Sequence, residues 1–396
     1  MKILLVHDRY VQSGGEDTVF ASETDMLRRF GHTVVHYVED NQRIAGIGQV
    51  RMAVKTHWSS ASYNRLMRLL RRELPEVAHF HNTFPLISPS AYYACHNAGT
   101  PVVQTLHNYR LVCAGSLLLR NGRLCEDCLH RRLPWPGMLH SCYRGSRIQS
   151  AAVVSMLVFH RLLGTWRRKV DFYITPSEFA KRELVKGGLP ESRIAVKPNY
   201  VYPEPGPERR DGGYALYAGR LSSEKGIAVL LDAWRRLKGI PLAIAGEGPL
   251  MDLVRELTRG WPELELCGQC SRSEVFALMK GARVLVFTST CPESFSMVVA
   301  EAFACGLPVI APDFGAAAEL VENLRTGLLF RSGEPQDLAD KLAWLWSHAV
   351  EARRMGLEAR AEFEAKYSVE RNYPLLMDIY SRAMNNHDKR ASATYG

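Results

Sequence analysis

Two cations and two carboxylates stand at spacings suited to holding an anionic, hydroxyl-rich ligand. Arg220 and Lys225 lie in Gly219-Arg220-Leu221-Ser222-Ser223-Glu224-Lys225-Gly226, directly after the aliphatic run at 214–218. Cations just past the end of a strand can neutralise a pyrophosphate, and glycines let backbone approach it closely. Glu293 and Glu301 are eight residues apart, at the junction of a strand-like segment and a helix. That spacing sets one carboxylate in a loop and the other about one turn into the helix, and a carboxylate accepts paired hydrogen bonds from vicinal hydroxyls. Between them Phe295, Ser296, Met297 and Val298 open the helix, where unpaired backbone N–H groups suit phosphate oxygens. Gly246 and Gly248 form a further glycine turn after a strand. Alone, either glutamate reads as a helix cap or a solvated ion pair, and a Gly-x-Gly turn is weak. The order Gly-Arg…Lys-Gly, Gly-x-Gly-Pro, Glu-x7-Glu tips the balance towards a ligand site.

The elements that must position these groups alternate. Lys2-Ile3-Leu4-Leu5-Val6-His7 reads as a buried strand, Ser13-Gly14-Gly15 as a tight turn, residues 16–30 as a helix ending at Gly31, and 33–38 as a second strand. That is a βαβ unit, the building block of a doubly wound parallel sheet. After Pro203, Pro205, Gly206 and Pro207 the alternation restarts, with strands at 214–218, 242–245, 284–287 and 308–310 and helices at 227–237 and 335–346. The expected fold is α/β, with a Rossmann-like domain over 1–200, a second over 201–367, and a C-terminal helix with a polar tail over 368–396. The helix is read as packing back on the first domain and the tail, from 385, as frayed. In such a pair the gap between domains is the default ligand site.

Charge is uneven. Residues 1–200 carry 27 Lys+Arg against 15 Asp+Glu, a net +12, so the +9 of the whole chain belongs to the first half. That half would attract a phosphate-bearing partner. Two stretches place cations beside apolar residues: 51–74, with Arg51, Lys55, Arg68, Arg71, Met52 and Trp58, and 147–169, with Val153, Leu157, Phe159, Arg161, Arg167 and Arg168. Both suit either adsorption to anionic lipid or ordinary amphipathic packing. No nucleic-acid-binding module is recognisable, so nucleic acid is not an expected partner. The N-terminal apolar run is too short for a secretory signal and 151–159 too short to span a bilayer, which implies a cytoplasmic protein, at most peripheral on the inner face of the membrane.

The chain resembles glycosyltransferase family 4, with the GT-B fold of two facing Rossmann-like domains and an interdomain cleft. The resemblance runs over nearly the whole chain: the motifs above, the Gly14-Gly15 loop, Thr175-Pro176-Ser177-Glu178-Phe179, Pro198-Asn199, and Ala304-Cys305-Gly306-Leu307-Pro308-Val309-Ile310. It implies a retaining transferase that takes a sugar from a nucleoside-diphosphate sugar to a glycan or lipid-linked glycan. Arg220 and Lys225 would grip the diphosphate, Glu301 the ribose and Glu293 the transferred sugar. Backbone groups of Phe295, Ser296, Met297 and Val298, with those of Gly219, Gly246 and Gly248, would line the donor. Gly14 and Gly15 would meet the donor phosphate, and His107, at the end of the strand 102–106, would touch the donor sugar. His81, which also ends a strand, is a candidate for the acceptor side. Catalysis would be by front-face displacement with the cations replacing a metal, and no Asp-x-Asp motif is present. The family usually has glycine where Ser294 and Ser296 stand, which bears on how closely backbone approaches the sugar. A nucleotide-sugar epimerase or hydrolase, or a non-catalytic sugar-nucleotide-binding protein, are the rival readings.

Cys113, Cys125, Cys128 and Cys142 are spaced C-x11-C-x2-C-x13-C within a glycine- and proline-rich region. The spacing is compatible with a tetrahedral structural zinc or with four separate thiols. No cofactor is expected for the chemistry itself.

Overall fold

The computed structural model describes residues 1–11, 14–207 and 212–395, without the side chains of 391–395. Ser13 of the glycine turn and residues 208–210 of the Pro-rich stretch lie outside the described residues. The chain divides into two units, one of residues 1–120, 125–199 and 372–396, the other of 121–124 and 200–371.

The first unit is built on a six-stranded sheet of β1 (Lys2–Arg9), β2 (Thr33–Asp40), β3 (Val77–Phe80), β4 (Val102–Thr105), β5 (Phe172–Thr175) and β6 (Ile194–Val196), in the order β2-β1-β3-β4-β5-β6. All its pairings are parallel. Ile3, Leu4, Leu5 and Val6 are wholly buried, as a sheet covered on both faces requires of its central strand. The second unit repeats the plan with β7 (Ala215–Ala218), β8 (Leu242–Ala245), β9 (Leu264–Gly268), β10 (Val284–Val286), β11 (Val309–Pro312) and β12 (Gly327–Phe330), ordered β9-β8-β7-β10-β11-β12 and parallel throughout. In each sheet the strand order reverses once, between β1 and β3 and between β7 and β10. Loops leaving the carboxyl ends of the strands on either side of such a reversal diverge and leave a crevice.

Two basic stretches resolve into pairs of helices, and one expectation is corrected. The basic stretch 51–74 is two helices, Gln49–His57 and Ser60–Glu73, broken where the Ser59 hydroxyl accepts from the Ser62 N–H at 3.3 Å. The stretch 147–169 is likewise two helices, Arg147–Leu162 and Thr165–Arg168, separated by Gly164 at φ +68°. The supposed frayed tail is helical: the last helix runs Val369–Tyr395. Its polar residues are used, because buried Asp171 receives His387 Nδ1 and Arg390 Nη1, each at 3.2 Å. Earlier in the same helix Tyr373 stacks on Phe30 at 3.8 Å. Among the described residues no helix is long and apolar enough to cross a membrane.

Candidate functional site

In the second unit the reversal between β7 and β10 gathers the charged residues. The turn after β7, Ser223–Lys225, is tied to the loop after β10. Thr288 Oγ1 donates to the Lys225 carbonyl at 2.9 Å and the Thr290 N–H to the Glu224 carbonyl at 3.0 Å. This brings Lys225 Nζ to 2.7 Å from Glu293 Oε1, with side chains 32% and 18% exposed. Burial alone would lower the Lys225 pKa, but the Glu293 carboxylate outweighs it and the ammonium titrates above its ordinary range. Arg220 is exposed, and among the described residues no carboxylate pairs with it.

Glu301 sits in the helix Met297–Ala304, its side chain 13% exposed, with Oε1 3.0 Å from Arg272 Nε. Burial raises its pKa and Arg272 pulls it back only in part. Arg272 in turn donates through Nη1 to the Tyr202 carbonyl and lies 5.2 Å from the Phe276 ring centroid, so the carboxylate is fixed. The helix has no side-chain cap, which leaves its first N–H groups to other acceptors. Ser296 has φ −109°, a conformation open to any residue, so the backbone does not demand glycine there. Its hydroxyl oxygen is buried without a hydrogen-bond partner.

The glycines divide by role. A Cβ on Gly246, at φ +141°, would fall 2.0 Å from the Gly219 carbonyl oxygen, and one on Gly248 2.3 Å from that of Leu221. These two make the loops after β7 and β8 nest. Gly14 differs: its φ of −136° is extended and a Cβ there would meet nothing within 4 Å. Among the described residues, apart from its chain neighbours, nothing fills the space beside Gly14.

In the first unit β3 and the residues that follow β3 and β4 bring histidines together. His81 Nδ1 is 3.0 Å from His107 Nε2, and the two rings stack at 5.2 Å. Burial and then neighbouring His79 depress the His81 pKa to about 4; burial and then His81 hold His107 well below the usual histidine range. Beneath them His79, wholly buried, has Nε2 2.7 Å from Thr105 Oγ1 and Nδ1 2.8 Å from Tyr380 Oη. Glu23, from the helix Gly15–Arg29, enters this cluster. Its Oε1 is 2.8 Å from His79 Nδ1 and 3.5 Å from His81 Nε2, and its Oε2 is 3.6 Å from Lys197 Nζ.

Glu23, His79 and His81 have donor atoms within 4.8 Å of one another, the geometry of a possible metal site, and they are the one such group among the described residues. A dication there would have to share the carboxylate with the buried Lys197 ammonium. The four cysteines converge less closely. Burial and then Cys113 push the Cys128 thiol up to about 11, and burial followed by Cys113 and Cys125 raises Cys142. The thiols sense one another without standing at that ligand spacing.

Sequence reasoning passed over several groups. Arg272, the partner of Glu301, is remote in sequence and carries no local signal. His7 and Asp17, paired at 2.8 Å, link the end of β1 to the first helical turn. Glu16 was signalled only by its place after Gly14-Gly15. It accepts from Asn108 Nδ2 at 2.6 Å while Oε2 is buried and unpartnered, and burial raises its pKa to about 7. The folded chain therefore holds this proton between the ordinary glutamate value of 4.5 and about 7, where the unfolded chain has lost it. Stability from this group is fullest below pH 4.5 and declines as pH rises through 7. Thermal melts of wild type and Glu16→Gln should diverge by a few degrees between pH 5 and 8, the variant gaining as pH rises. A pH-independent difference would contradict this.

The family profile for Glycosyltransferase Family 4 matches residues 8–204, and that for Glycosyl transferases group 1 matches residues 212–348. An uncharacterized glycosyltransferase of Methanocaldococcus jannaschii is 30% identical over 51% of this chain and 56% of its own length. A phosphatidyl-myo-inositol mannosyltransferase of Mycobacterium leprae is 27% identical over 60% of this chain and 66% of its own. The chain thus spans between about half and two thirds of these relatives. Among solved structures, a glycosyltransferase from Rickettsia africae superposes with TM-score 0.72 at 17% identity, covering 97% of this chain and 99% of that one. Anabaena HepE in complex with UDP and glucose gives 0.69 at 18%, covering 96% and 100%. With both halves matched by profiles and both sheets wound alike, the chain belongs to glycosyltransferase family 4 and has the GT-B fold class of two Rossmann-like units.

Proposed function

We propose that this protein is a retaining glycosyltransferase that moves a sugar from a nucleoside-diphosphate sugar to a glycan or lipid-linked glycan in the synthesis of cell-surface polysaccharide or glycolipid. The observation that carries the reading is the Lys225–Glu293 pair at 2.7 Å, held at the strand-order reversal of the second sheet. Lys225 and the exposed Arg220 stabilise the departing diphosphate electrostatically, so that no metal is needed. Glu293 and Glu301 take hydroxyls of the sugar and the ribose. Anabaena HepE binds UDP-glucose, which supports a donor of this class. Incubation with a panel of nucleotide sugars and a lipid extract, reading released nucleoside diphosphate with and without chelator, tests the activity. The anomeric signal of the product tests retention. A second reading, hydrolysis, is favoured by Glu16, a carboxyl poised near pH 7; release of diphosphate that no acceptor stimulates would support it.

A place on the inner face of the cytoplasmic membrane is part of the proposal. The helices Gln49–His57 and Arg147–Leu162 are joined by His57 Nε2 and Ser155 Oγ at 2.9 Å. They expose Val50 at 80%, Val54 at 64%, Ile148 at 78% and Leu162 at 83%. Beside Leu162 a groove of about 620 Å³ is lined by Arg131, Arg132, Arg161, Arg167 and Lys186. Apolar tips beside clustered cations suit an anionic bilayer. Sedimentation with vesicles should recover the protein on anionic but not zwitterionic lipid, and Val50→Asp with Leu162→Asp should abolish the difference; equal recovery on both lipids would remove this part.

We also propose that Cys113, Cys125, Cys128 and Cys142 close on a structural zinc. Their spacing and mutual proximity support it, and binding would release the thiol protons. Elemental analysis of protein purified without chelator should find about one zinc per chain, with Tm falling several degrees on its removal. Protein lacking zinc at full Tm would end the idea.

A further inference from the structure

The groove beside Leu162 holds more positive charge than the fold neutralises. Arg161, half-buried near the end of the helix Arg147–Leu162, spends Nη1 on the Arg131 carbonyl at 3.0 Å and Nη2 on the Leu111 carbonyl at 3.4 Å. These bonds fix the guanidinium but leave its charge uncompensated, since a carbonyl accepts a hydrogen bond and carries no net charge. Arg167 is held in a similar way, with Nη2 3.4 Å from the Gly188 carbonyl, and Arg131 lies 5.2 Å from the Trp135 ring centroid. Among the described residues no carboxylate pairs with Arg131, Arg132, Arg161 or Arg167. The acidic residues nearby are committed elsewhere: Asp127 to Arg120 at 2.7 Å, and Glu126 and Glu183 to Lys186 at 2.7 and 2.8 Å. Lys186 is thereby neutralised, and the arginines are not.

The rest of the lining is apolar. Leu129, Trp166 and Leu189 are buried in it, whereas Leu162 is exposed. Trp166 is 6% exposed, and its indole N–H is buried without a hydrogen-bond partner. The wall therefore contains a donor that the protein alone leaves unsatisfied, at a cost to the fold. We propose that this groove of about 620 Å³ binds the phosphomonoester headgroup of a lipid, with the arginines on the phosphate and the lipid chain along the apolar lining past Leu162. Guanidinium forks match phosphate oxygens, and several uncompensated cations favour a dianionic monoester over the single charge of a phosphodiester. The volume suits a headgroup with the first carbons of its chain. Every residue of the lining belongs to the first unit. The inference rests on the membrane reading only for the source of the lipid. Adsorption by the apolar tips at Val50 and Val54 needs no headgroup site, and a headgroup site needs no adsorption.

The test separates the two. Calorimetric titration of the full chain with dihexanoyl phosphatidic acid, kept below its micelle concentration, reads the groove without a bilayer. Binding should saturate at a single lipid per chain and be about tenfold tighter than for dihexanoyl phosphatidylcholine or inorganic phosphate. Arg161→Gln should weaken it about tenfold, and Arg132→Gln combined with Arg167→Gln about as much. Arg353→Gln, an equal charge change at an exposed position of the second unit, should leave it unchanged. If Arg161→Gln does not fold, the exposed pair Arg132 and Arg167 carries the test. Absence of saturation, equal affinity for phosphatidylcholine or for inorganic phosphate, or a loss in Arg353→Gln as large as in the groove variants would overturn the proposal. Saturable binding by a protein that anionic vesicles fail to sediment would support the groove and remove the membrane reading. Sedimentation of a protein that does not bind the soluble lipid would overturn the groove alone.

Discussion

Replacing Lys225 by alanine is expected to lower kcat/KM about a thousandfold, the scale of losing a preorganised electrostatic contact to a departing oxyanion, and to leave the fold intact. The two halves of that expectation have separate grounds. The Lys225 side chain is 32% exposed and its partner Glu293 18% exposed, so the ion pair itself contributes at most about 1 kcal/mol to stability. The turn that carries Lys225 is held through its own carbonyls, which accept from Thr288 Oγ1 at Lys225 and from the Thr290 N–H at Glu224, and neither bond depends on the ammonium. Catalysis depends on it more, because negative charge builds on the leaving diphosphate and Lys225 stays protonated through the working pH range. Glu293→Ala should cost as much by a different route, loss of the hydroxyl acceptor together with release of the lysine from its set position. Glu293→Gln, which can still accept, should lose less. Because the two residues act as one unit, the double variant should be little worse than either single one. Nucleoside diphosphate release under saturating and limiting donor gives both constants; near-normal turnover in Lys225→Ala and Glu293→Ala would remove the site assignment.

How much of this was legible beforehand follows from the range of each interaction. The β1 strand, the glycine turn and the restart near residue 214 were readable because aliphatic runs and helical spacing are local signals. The placing of Lys225 beside Glu293 was readable only as an order of motifs, since nothing in the sequence states that the loops after β7 and β10 are neighbours; the strand order does. Arg272 and Glu23 escaped notice for that reason, because each acts on a residue from another element, Glu301 in one case and His81 in the other. The end of the chain was misread in a similar way. Polar residues from 385 onward look solvated until Asp171, more than 200 positions earlier, supplies a buried carboxylate for His387 and Arg390. The breaks at Ser59 and Gly164 were written locally, in a capping hydroxyl and a left-handed glycine, but an amphipathic stripe that continues across a break hides it.

Gly226→Ala should be the most destabilising single substitution around the site, by about 3 kcal/mol or more, and it should also abolish turnover. Gly226 has φ +70°, where any side chain is strained, and a Cβ there would sit 1.9 Å from the Thr288 carbonyl oxygen. That oxygen belongs to backbone, so relief requires the loop after β10 to move away from the turn after β7. The movement breaks the contacts that bring Lys225 to Glu293, and the ion pair is lost with them. Gly14→Ala is the matched control, since an extended backbone and open space around the new methyl predict a melting temperature within about a degree of wild type. A loss of turnover in this stable variant would mark Gly14 as kept for a ligand, because the methyl occupies space that no described residue beyond its chain neighbours fills. Melting curves and diphosphate release on the two variants therefore separate a glycine kept by the fold from one kept by the ligand. A Gly226→Ala protein that melts like wild type would show that the two loops do not meet as described, and the grouping of Lys225 with Glu293 would go with them.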